Sequence, residues 1–397
     1  MPPGTLETPE PSQTGSIALV TTPEPSQVTA EGSQSALPES TVAEDTVVDE
    51  DQSELDASVE YTLVKGKSGR RYRVYNVIGK GGYGVVHKAA YEMRDGHFLL
   101  LAIKSENTDS LDVEVRVLLK MRHGSHFCAL FDEGFDTYSQ TKFIVMTYVG
   151  DNLSSLRRQF GWFSWGTVLR VGMQTLHAIE QLHDRGYLSR DVKPSNFAVG
   201  APQALRRLVY MLDFGIARSY TDENGNPLPR RKQTSFRGTS RYCALPQHKE
   251  SDQCRRDDVE SWFYMLVELS AGRLPWACFS RHEKDKIADA KRKARTLGRK
   301  AFLAHCPSQF ELIMDVVDRW PFESIPDYDG LLVVLARILE SIGVDFQDRY
   351  DWETLDKYRE CPVTFVAPGP PRLYDHCIFV DRAELQKLVD AAPLETK

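Results

Sequence analysis

Three polar residues in the middle of the chain have the types and spacing that phosphoryl transfer requires. Asp191 and Asn196 stand five positions apart, and Asp213 follows the short apolar run 208–212. Transfer of a phosphoryl group needs a carboxylate near the incoming hydroxyl and oxygen ligands for Mg²⁺. These three residues supply that set. Any one Asp alone would more often be a helix or turn cap, so the prediction depends on the combination.

A lysine and a glutamate form a second candidate pair. Lys104 ends an apolar run, where an unpaired charge would be costly. Glu114 shares one face of a predicted helix with Leu118 and Met121, so it should point inward. The sequence predicts a Lys104–Glu114 ion pair that directs the ammonium at phosphate oxygens. The alternative is a surface lysine with its charge in water and a solvated glutamate.

A glycine-rich segment precedes this pair. Gly79, Gly81 and Gly84 match the spacing of a dinucleotide-binding loop, which must lie between a strand and a helix. Here predicted strands flank the glycines on both sides. Glycines in a hairpin let backbone N–H groups approach phosphates closely. The pattern therefore favours a loop that covers a nucleotide over a dinucleotide fold.

The elements that must position these residues fall into two groups. The strands are predicted at 72–79, 84–91, 97–105, 127–134 and 142–148, with one helix at about 110–121. After Gly150 helical periodicity dominates, including predicted helices at 258–271 and 329–341. We expect an α+β, bilobed fold: a small β-rich lobe with one main helix, then a larger α-helical lobe. The cleft between two such lobes is the default ligand site.

Charge divides the chain unevenly. The 397 residues carry 49 Lys+Arg and 56 Asp+Glu, but residues 1–60 contain thirteen of the acids and no Lys, Arg, His or aromatic residue. Such a segment cannot bury enough apolar surface to fold, so we predict a disordered tail. It is either a regulatory or pseudosubstrate segment or a solvated extension. The predicted domains are this tail, a catalytic domain at 61–353 (lobes 61–149 and 150–353) and an extension at 354–397.

Composition also excludes several classes of protein. The basic excess is not uniform, so we expect no nucleic-acid partner. No apolar run approaches the roughly 20 residues that span a bilayer, so we expect no membrane partner. The seven scattered cysteines form no CxxC pair, which indicates reduced thiols and no zinc site. We expect a cytoplasmic monomer.

Residues 72–353 resemble a eukaryotic protein kinase of the casein kinase I superfamily, most of all its tau-tubulin kinase and worm-expanded branch. The resemblance is carried by 191–197, 211–218, 236–242, 256–264, 274–276, 326–328 and 350–353. It implies the bilobed protein kinase fold, the cofactors ATP and Mg²⁺, and a serine/threonine-protein kinase.

The resemblance also implies roles at matching positions. Asp191 is the catalytic base, and Lys193 neutralises the γ-phosphate during transfer. Lys104 holds the α- and β-phosphates, and Glu114 orients it. Asn196 and Asp213 bind Mg²⁺.

The nucleotide's adenine has its own implied contacts. The glycine loop covers the phosphates. The residues implied around adenine are Ile78, Val86 and Ala102 above, Ala198 below, Met146 as gatekeeper and the hinge Thr147–Val149. Asp258 should brace the catalytic loop, residues 189–196, and Arg190 could pair with a phosphate in the activation segment, residues 213–246.

Two departures from the family pattern leave an alternative open. Ser189 stands where a histidine is usual, and 243–248 replaces the Ala-Pro-Glu landmark, with Pro246 where relatives have asparagine. The alternative is a catalytically weak kinase-fold scaffold, a pseudokinase that binds protein partners.

Two basic clusters suggest the substrate. One is 229–232; the other is 281–300, which holds nine Lys/Arg against three Asp/Glu. Opposite charge would steer acidic or pre-phosphorylated protein substrates to this surface. The alternative is an ordinary solvated helix face. The run 291–293 also leaves open a nuclear location.

Overall fold

The computed structural model describes residues 60–81, 84–201 and 205–355, and the backbone of a strand at 378–380. The predicted tail, apart from its last residue, lies outside the described residues. So does most of the predicted extension. The predictions made for these two segments are therefore not addressed by the structure.

An antiparallel sheet builds the small lobe. Its strands are β1 (Thr62–Lys65), β2 (Arg71–Lys80), β3 (Gly84–Glu92), β4 (Phe98–Glu106), β5 (Leu130–Asp136) and β6 (Thr141–Thr147). Their order across the sheet is β1-β2-β3-β4-β6-β5. The three consecutive strands predicted from the sequence are thus confirmed, each to within about one residue.

Strand β4 is apolar on both faces because both faces are covered. Leu99 and Leu101 belong to one cluster, with Phe143 of β6, while Leu100 packs on the opposite side against Ala201 of the large lobe. Side chains alternate along a strand, so Lys104 lies on the same face as Leu100. This places its ammonium between the two lobes.

The helix of the small lobe, α1 (Ser110–Lys120), presents the predicted face to the interior. Its buried residues are Leu111, Glu114, Val117 and Leu118. The spacing is that of an amphipathic helix, with a glutamate in place of one apolar residue. Glu114 therefore points inward, as its helical position predicts.

The large lobe is mainly helical. Its helices are α2 (Leu153–Phe160), α3 (Trp165–Asp184), α4 (Arg255–Ala271), α5 (Lys284–Arg295), α6 (Arg299–Phe302), α7 (Phe310–Arg319) and α8 (Tyr328–Ser341). Helix α4 is buried on every side, and Trp262 at its centre donates from its indole nitrogen to the Gly172 carbonyl of α3. This helix is the axis on which the lobe packs. No helix among the described residues is long and apolar enough to span a membrane.

Short strands line the junction between the lobes. They are β7 (Val149–Asn152), β8 (Tyr187–Leu188), β9 (Phe197–Gly200), β10 (Val209–Met211) and β11 (Arg218–Ser219). Strands β7, β9 and β10 form one sheet, and β8 pairs with β11. A last strand, β12 (Ile378–Val380), pairs antiparallel with residues 98–100 of β4, beyond the part of β4 that β6 covers.

Two predicted elements begin three residues away from their start in the structure. The strand predicted at 127–134 begins at Leu130, because Phe127 instead forms a bridge with Met211 in the large lobe. The helix predicted at 258–271 begins three residues earlier, where the Asp257 carboxylate accepts from the Cys254 amide and caps the first turn. Both differences depend on tertiary or capping contacts that periodicity does not report.

Candidate active site

One cavity of about 370 Å³ contains every predicted site residue. From the small lobe it is lined by Ile78, Gly79, Gly81, Gly84, Val86, Ala102, Lys104, Glu114, Met146 and Thr147. From the junction and the large lobe it is lined by Val149, Asp191, Lys193, Asn196, Ala198 and Asp213. Residues separated by more than a hundred positions in the chain thus meet in one place, while their individual roles remain predictions.

Lys104 binds three carboxylates at the back of this cavity. Its Nζ lies 2.5 Å from Glu114 Oε2, 3.0 Å from Glu106 Oε1 and 3.2 Å from Asp213 Oδ1. Burial acts to lower the pKa of Lys104, but the attraction of these carboxylates outweighs burial and raises it. The lysine is therefore a fixed positive charge that joins the small lobe to Asp213.

Asp213 is held ionised in an unusual backbone conformation. Burial opposes ionisation, but Lys104 and then Lys193 lower the pKa of its carboxyl. Its φ of 62° lies in the left-handed region, which costs a non-glycine residue about 1 kcal/mol or more. This strained turn aims the carboxylate into the cavity.

Asp191 and Lys193 form a second polar group, with Thr239. Lys193 Nζ donates to Asp191 Oδ2 at 2.5 Å and to Thr239 Oγ1 at 3.2 Å. The Thr239 hydroxyl in turn donates to Asp191 Oδ1 at 2.7 Å. Both oxygens of Asp191 thus have a partner, and its carboxylate is held in one orientation on the wall of the cavity.

Asp258 fixes the backbone of the same loop from below. Its carboxylate accepts from the amides of Ser189 at 2.7 Å and Arg190 at 2.9 Å, and lies 3.0 Å from His183 Nε2. Arg190 has a φ of 67°, so two backbone bonds hold a residue that would otherwise avoid this conformation. Asp258 lies in α4 and braces the loop, as expected.

Asn196 and Asp213 fit the proposed Mg²⁺ ligand set. Asn196 lines the cavity, and its amide nitrogen donates to the Asp191 carbonyl at 3.0 Å, so its amide oxygen is the atom left to bind a cation. That oxygen and the ionised carboxylate of Asp213 are hard donors of the kind that Mg²⁺ prefers. Bound there with ATP, the ion would neutralise phosphate charge.

Strands β2 and β3, which flank the glycines, pair antiparallel, as the predicted hairpin requires. Gly81 N donates to the Gly84 carbonyl at 2.9 Å. A Cβ at Gly84 would lie 2.3 Å from the Ser105 carbonyl, whereas at Gly79 the nearest atom would be 3.7 Å away. Protein packing therefore explains Gly84. A role for Gly79 in admitting a phosphate stays a prediction.

Among the polar residues of the site that sequence reasoning missed are Glu106 and Thr239. Glu106 is 2% exposed and contacts Lys104, as described above. Its position, two residues after Lys104 on the same strand face, was the available signal. Thr239 lies in the segment 236–242 that supports the family resemblance, but no local pattern reports its contact with Asp191, because the two residues are far apart in the chain.

An arginine cluster lies beside the catalytic loop. Arg218 and Arg231 share the carboxylate of Asp252, at 3.2 and 2.7 Å. Burial, followed by the charges of these two arginines and of Arg237, lowers the pKa of Arg190 to about 10. The positive charge of this arginine cluster exceeds the negative charge of the carboxylates that pair with it. An anion that binds beside the cluster would therefore be stabilised.

The basic segment 281–300 does not form a single exposed face. Lys291 is fully buried, Arg295 pairs with Glu260 at 2.8 Å, and Arg299 binds Asp315 at 2.7 Å. Only part of the predicted basic surface is therefore available to a substrate. A contact of Lys291 with a substrate or an import receptor, as its place in a basic run suggested, would require the helix to move.

Comparison with known proteins agrees with this geometry. The protein kinase domain family matches residues 72–317. A probable serine/threonine-protein kinase of Dictyostelium discoideum is 35% identical, over 74% of this chain and 57% of its own length. The serine/threonine-protein kinase spe-6 of Caenorhabditis elegans is 33% identical, over 74% of this chain and 78% of its own.

A casein kinase I homolog of Kluyveromyces lactis is 30% identical, over 72% of this chain and 54% of its own length. The chain thus spans little more than half of the slime-mould and yeast proteins. The matched family region contains the whole set of predicted site residues.

Proposed function

Because the chain belongs to the protein kinase family, within the casein kinase I superfamily, we propose that it transfers the γ-phosphate of ATP to serine or threonine side chains of proteins. The observation that carries the proposal is the pair of polar groups in one cavity. Lys104 joins Glu114 to Asp213 at its back. Asp191 and Lys193 form the other group, with Lys193 Nζ 2.5 Å from Asp191 Oδ2.

The chain's own residues divide the work. Lys104, charged because three carboxylates surround it, attracts and orients the phosphates of the nucleotide. Asp191 accepts the proton of the incoming hydroxyl, and Lys193 is placed to stabilise charge on the transferring group. The hydrogen bonds from Thr239 and Lys193 fix the Asp191 carboxylate before substrate arrives, which lowers the cost of organising the transition state.

A transfer assay tests this proposal. The full chain is incubated with γ-labelled Mg·ATP and with casein or an acidic peptide, beside Asp191→Asn and the control Asp329→Asn at an exposed position of α8. Loss of the base should lower kcat about 1,000-fold, whereas the control should match the wild type. If wild type and Asp191→Asn transfer equally little while both bind a protein partner, the scaffold alternative replaces the enzyme.

The preferred substrates are proposed to be acidic or pre-phosphorylated. The support is the cluster of Arg190, Arg218 and Arg231, in which Arg190 directly precedes Asp191 and the positive charge is more than Asp252 can neutralise. A phosphate on the substrate would meet two or three guanidinium groups there, and such pairs are short and strong.

Paired peptides test the substrate preference. Each pair has the same acceptor serine, with a phosphoserine or a serine at one position, moved in turn along both sides of the acceptor. We expect one position to raise kcat/KM in the wild type and the gain to fall in Arg231→Gln. Arg230→Gln is the matched control, because Arg230 lies over the Phe322 ring instead. A phosphate gain that both variants retain would contradict the assignment.

A further inference from the structure

Lys291 is a buried charge outside the nucleotide cavity. It lies in α5, and its side chain is fully enclosed. Its Nζ donates to the carbonyl of Cys243 at 2.6 Å and to that of Ser240 at 2.8 Å, and lies 3.1 Å from His248 Nε2. One side chain from α5 thus contacts the segment 240–248 at three atoms, two carbonyl oxygens and one imidazole nitrogen.

The surroundings of Lys291 suit a cation that stays in place. Its ammonium lies 5.0 Å from the Tyr264 ring centre and 5.7 Å from that of Trp276. Burial lowers the pKa of Lys291 to about 8, so the charged form still predominates at neutral pH. Burial also lowers the pKa of His248, to about 3, with Lys291 as the next cause, so the imidazole is neutral and can accept from the ammonium.

The segment 240–248 directly follows Thr239, the residue that contacts the catalytic loop. The amides of Tyr242 and Cys243 both donate to the Thr239 carbonyl at 2.9 Å. Thr239 is the residue whose hydroxyl binds Asp191. A turn closed at Thr239 is therefore held on its other side by Lys291, through the carbonyls of Ser240 and Cys243.

Helix α4 contacts the same segment at Leu245. The amide of Leu245 donates to Glu260 Oε1 at 2.9 Å, and Glu260 is held by Arg295 of α5. The segment lacks the Ala-Pro-Glu landmark, so its attachment to the large lobe must come from such contacts. Helix α5 supplies a cation to its carbonyls, and α4 supplies a carboxylate to its amide.

We propose that Lys291 is a positioning residue for phosphoryl transfer. It anchors the segment 240–248 to α5, keeps Thr239 against Asp191 and thereby shapes the surface on which the substrate's acceptor lies. This inference rests on the proposed function. In it, the alignment of the protein substrate depends on Lys291, a residue that lies outside the nucleotide cavity and contacts neither ATP nor the acceptor side chain.

Steady-state kinetics and hydrogen exchange test the proposal together. Lys291→Met keeps the length of the side chain and removes the donors, and Lys291→Gln keeps a donor without the charge. Lys120→Met, on the exposed end of α1, controls for the loss of one positive charge. Initial rates are measured with peptide varied at saturating ATP and with ATP varied at saturating peptide.

We expect Lys291→Met to lower kcat/KM for peptide about tenfold, while KM for ATP stays within about twofold. Lys291→Gln should fall between Met and wild type. Amide hydrogen exchange should increase in 239–248 and leave β4 and α1 unchanged. If KM for ATP rises by the same factor as kcat/KM for peptide falls, and exchange increases throughout the domain, the variant is generally destabilised and the proposal is overturned.

The two hypotheses fail in different ways. A wild type that transfers no phosphate refutes the proposed function, and exchange in 239–248 then decides the anchor without any activity. An active wild type whose Lys291→Met variant keeps both its peptide kinetics and its exchange pattern refutes the anchor alone.

Discussion

Two buried lysines in this molecule do opposite electrostatic work. Lys104, in the small lobe, lies among three carboxylates, and its pKa is raised. Lys291, in the large lobe, lies among carbonyls, a neutral imidazole and two aromatic faces, and its pKa is lowered to about 8. The same residue type is thus a charge paired with carboxylates in one region and a hydrogen-bond donor to the backbone in the other.

The difference shows what burial of a lysine requires. An ammonium removed from water must recover its solvation from charges or from dipoles. Carboxylates restore it by attraction and keep the charge available to a ligand. Carbonyls restore it by directed hydrogen bonds, which fix the backbone that carries them. We therefore expect substitutions in the two regions to affect different substrates of the same reaction.

The largest expected effect comes from Lys104→Met. Without the ammonium, Glu114, Glu106 and Asp213 repel one another and the incoming phosphates, so kcat/KM for ATP should fall about 100-fold or more. KM for peptide should change much less, the reverse of the Lys291→Met result. The control is Lys142→Met on the neighbouring strand β6, which removes a partly exposed ion pair with Asp112 of α1. Full activity in Lys104→Met would show that this lysine does not contact ATP.

The first of these lysines was predictable from the sequence and the second was not. Lys104 ends an apolar strand, and Glu114 sits at a core position of a helix, so local periodicity alone made both conspicuous. Lys291 lies in a segment with nine basic residues, where each looks solvated. Its partners are backbone carbonyls about fifty positions away, and backbone groups leave no mark in a sequence.

Glu106→Gln should have a smaller effect on the same region. The amide keeps the size of the side chain but removes one of the three carboxylates around Lys104. Glu114 and Asp213 remain, so the expected loss of kcat/KM for ATP is about fivefold, or about 1 kcal/mol. Glu92→Gln, at an exposed ion pair on β3, is the matched control. An effect as large as that of Lys104→Met would mean that the three carboxylates do not share the lysine.

The fold was easier to predict than the contacts within the site. Strand alternation and helical stripes located the sheet, α1, α4 and α8 to within a few residues. The contact of Thr239 with Asp191 depends on how a long loop returns to the catalytic segment. The Phe127–Met211 bridge depends in the same way on the approach of two lobes. Neither is encoded in a local pattern, so both required the structure.

Low pH should destabilise the folded protein through His248, which contacts Lys291. The pKa of His248 in the folded protein is about 3, below the ordinary value near 6.5. Between these two pH values the imidazole is protonated in the unfolded chain and neutral in the folded one. The folded state therefore loses stability as pH falls below about 6.5. Since the imidazole is partly exposed, we expect about 1 kcal/mol of extra loss between pH 7 and 5, relative to His248→Gln. Thermal midpoints of the two proteins at both pH values provide the measurement, and parallel profiles would argue against a neutral, enclosed imidazole.

The smallest expected effect is at Ser189, the position where the family pattern has histidine. The Ser189 hydroxyl accepts from the Asp191 amide at 3.4 Å, a long and weak hydrogen bond. The loop is held instead by the Ser189 and Arg190 amides, which donate to Asp258 and do not depend on the side chain at 189. Ser189→Ala should therefore cost about 0.5 kcal/mol of stability or less and leave kcat within about twofold. Asp258→Asn, which weakens both amide contacts, provides the contrast: if the two variants lose equal activity, the side chain at 189 carries more of the catalytic loop than its geometry indicates.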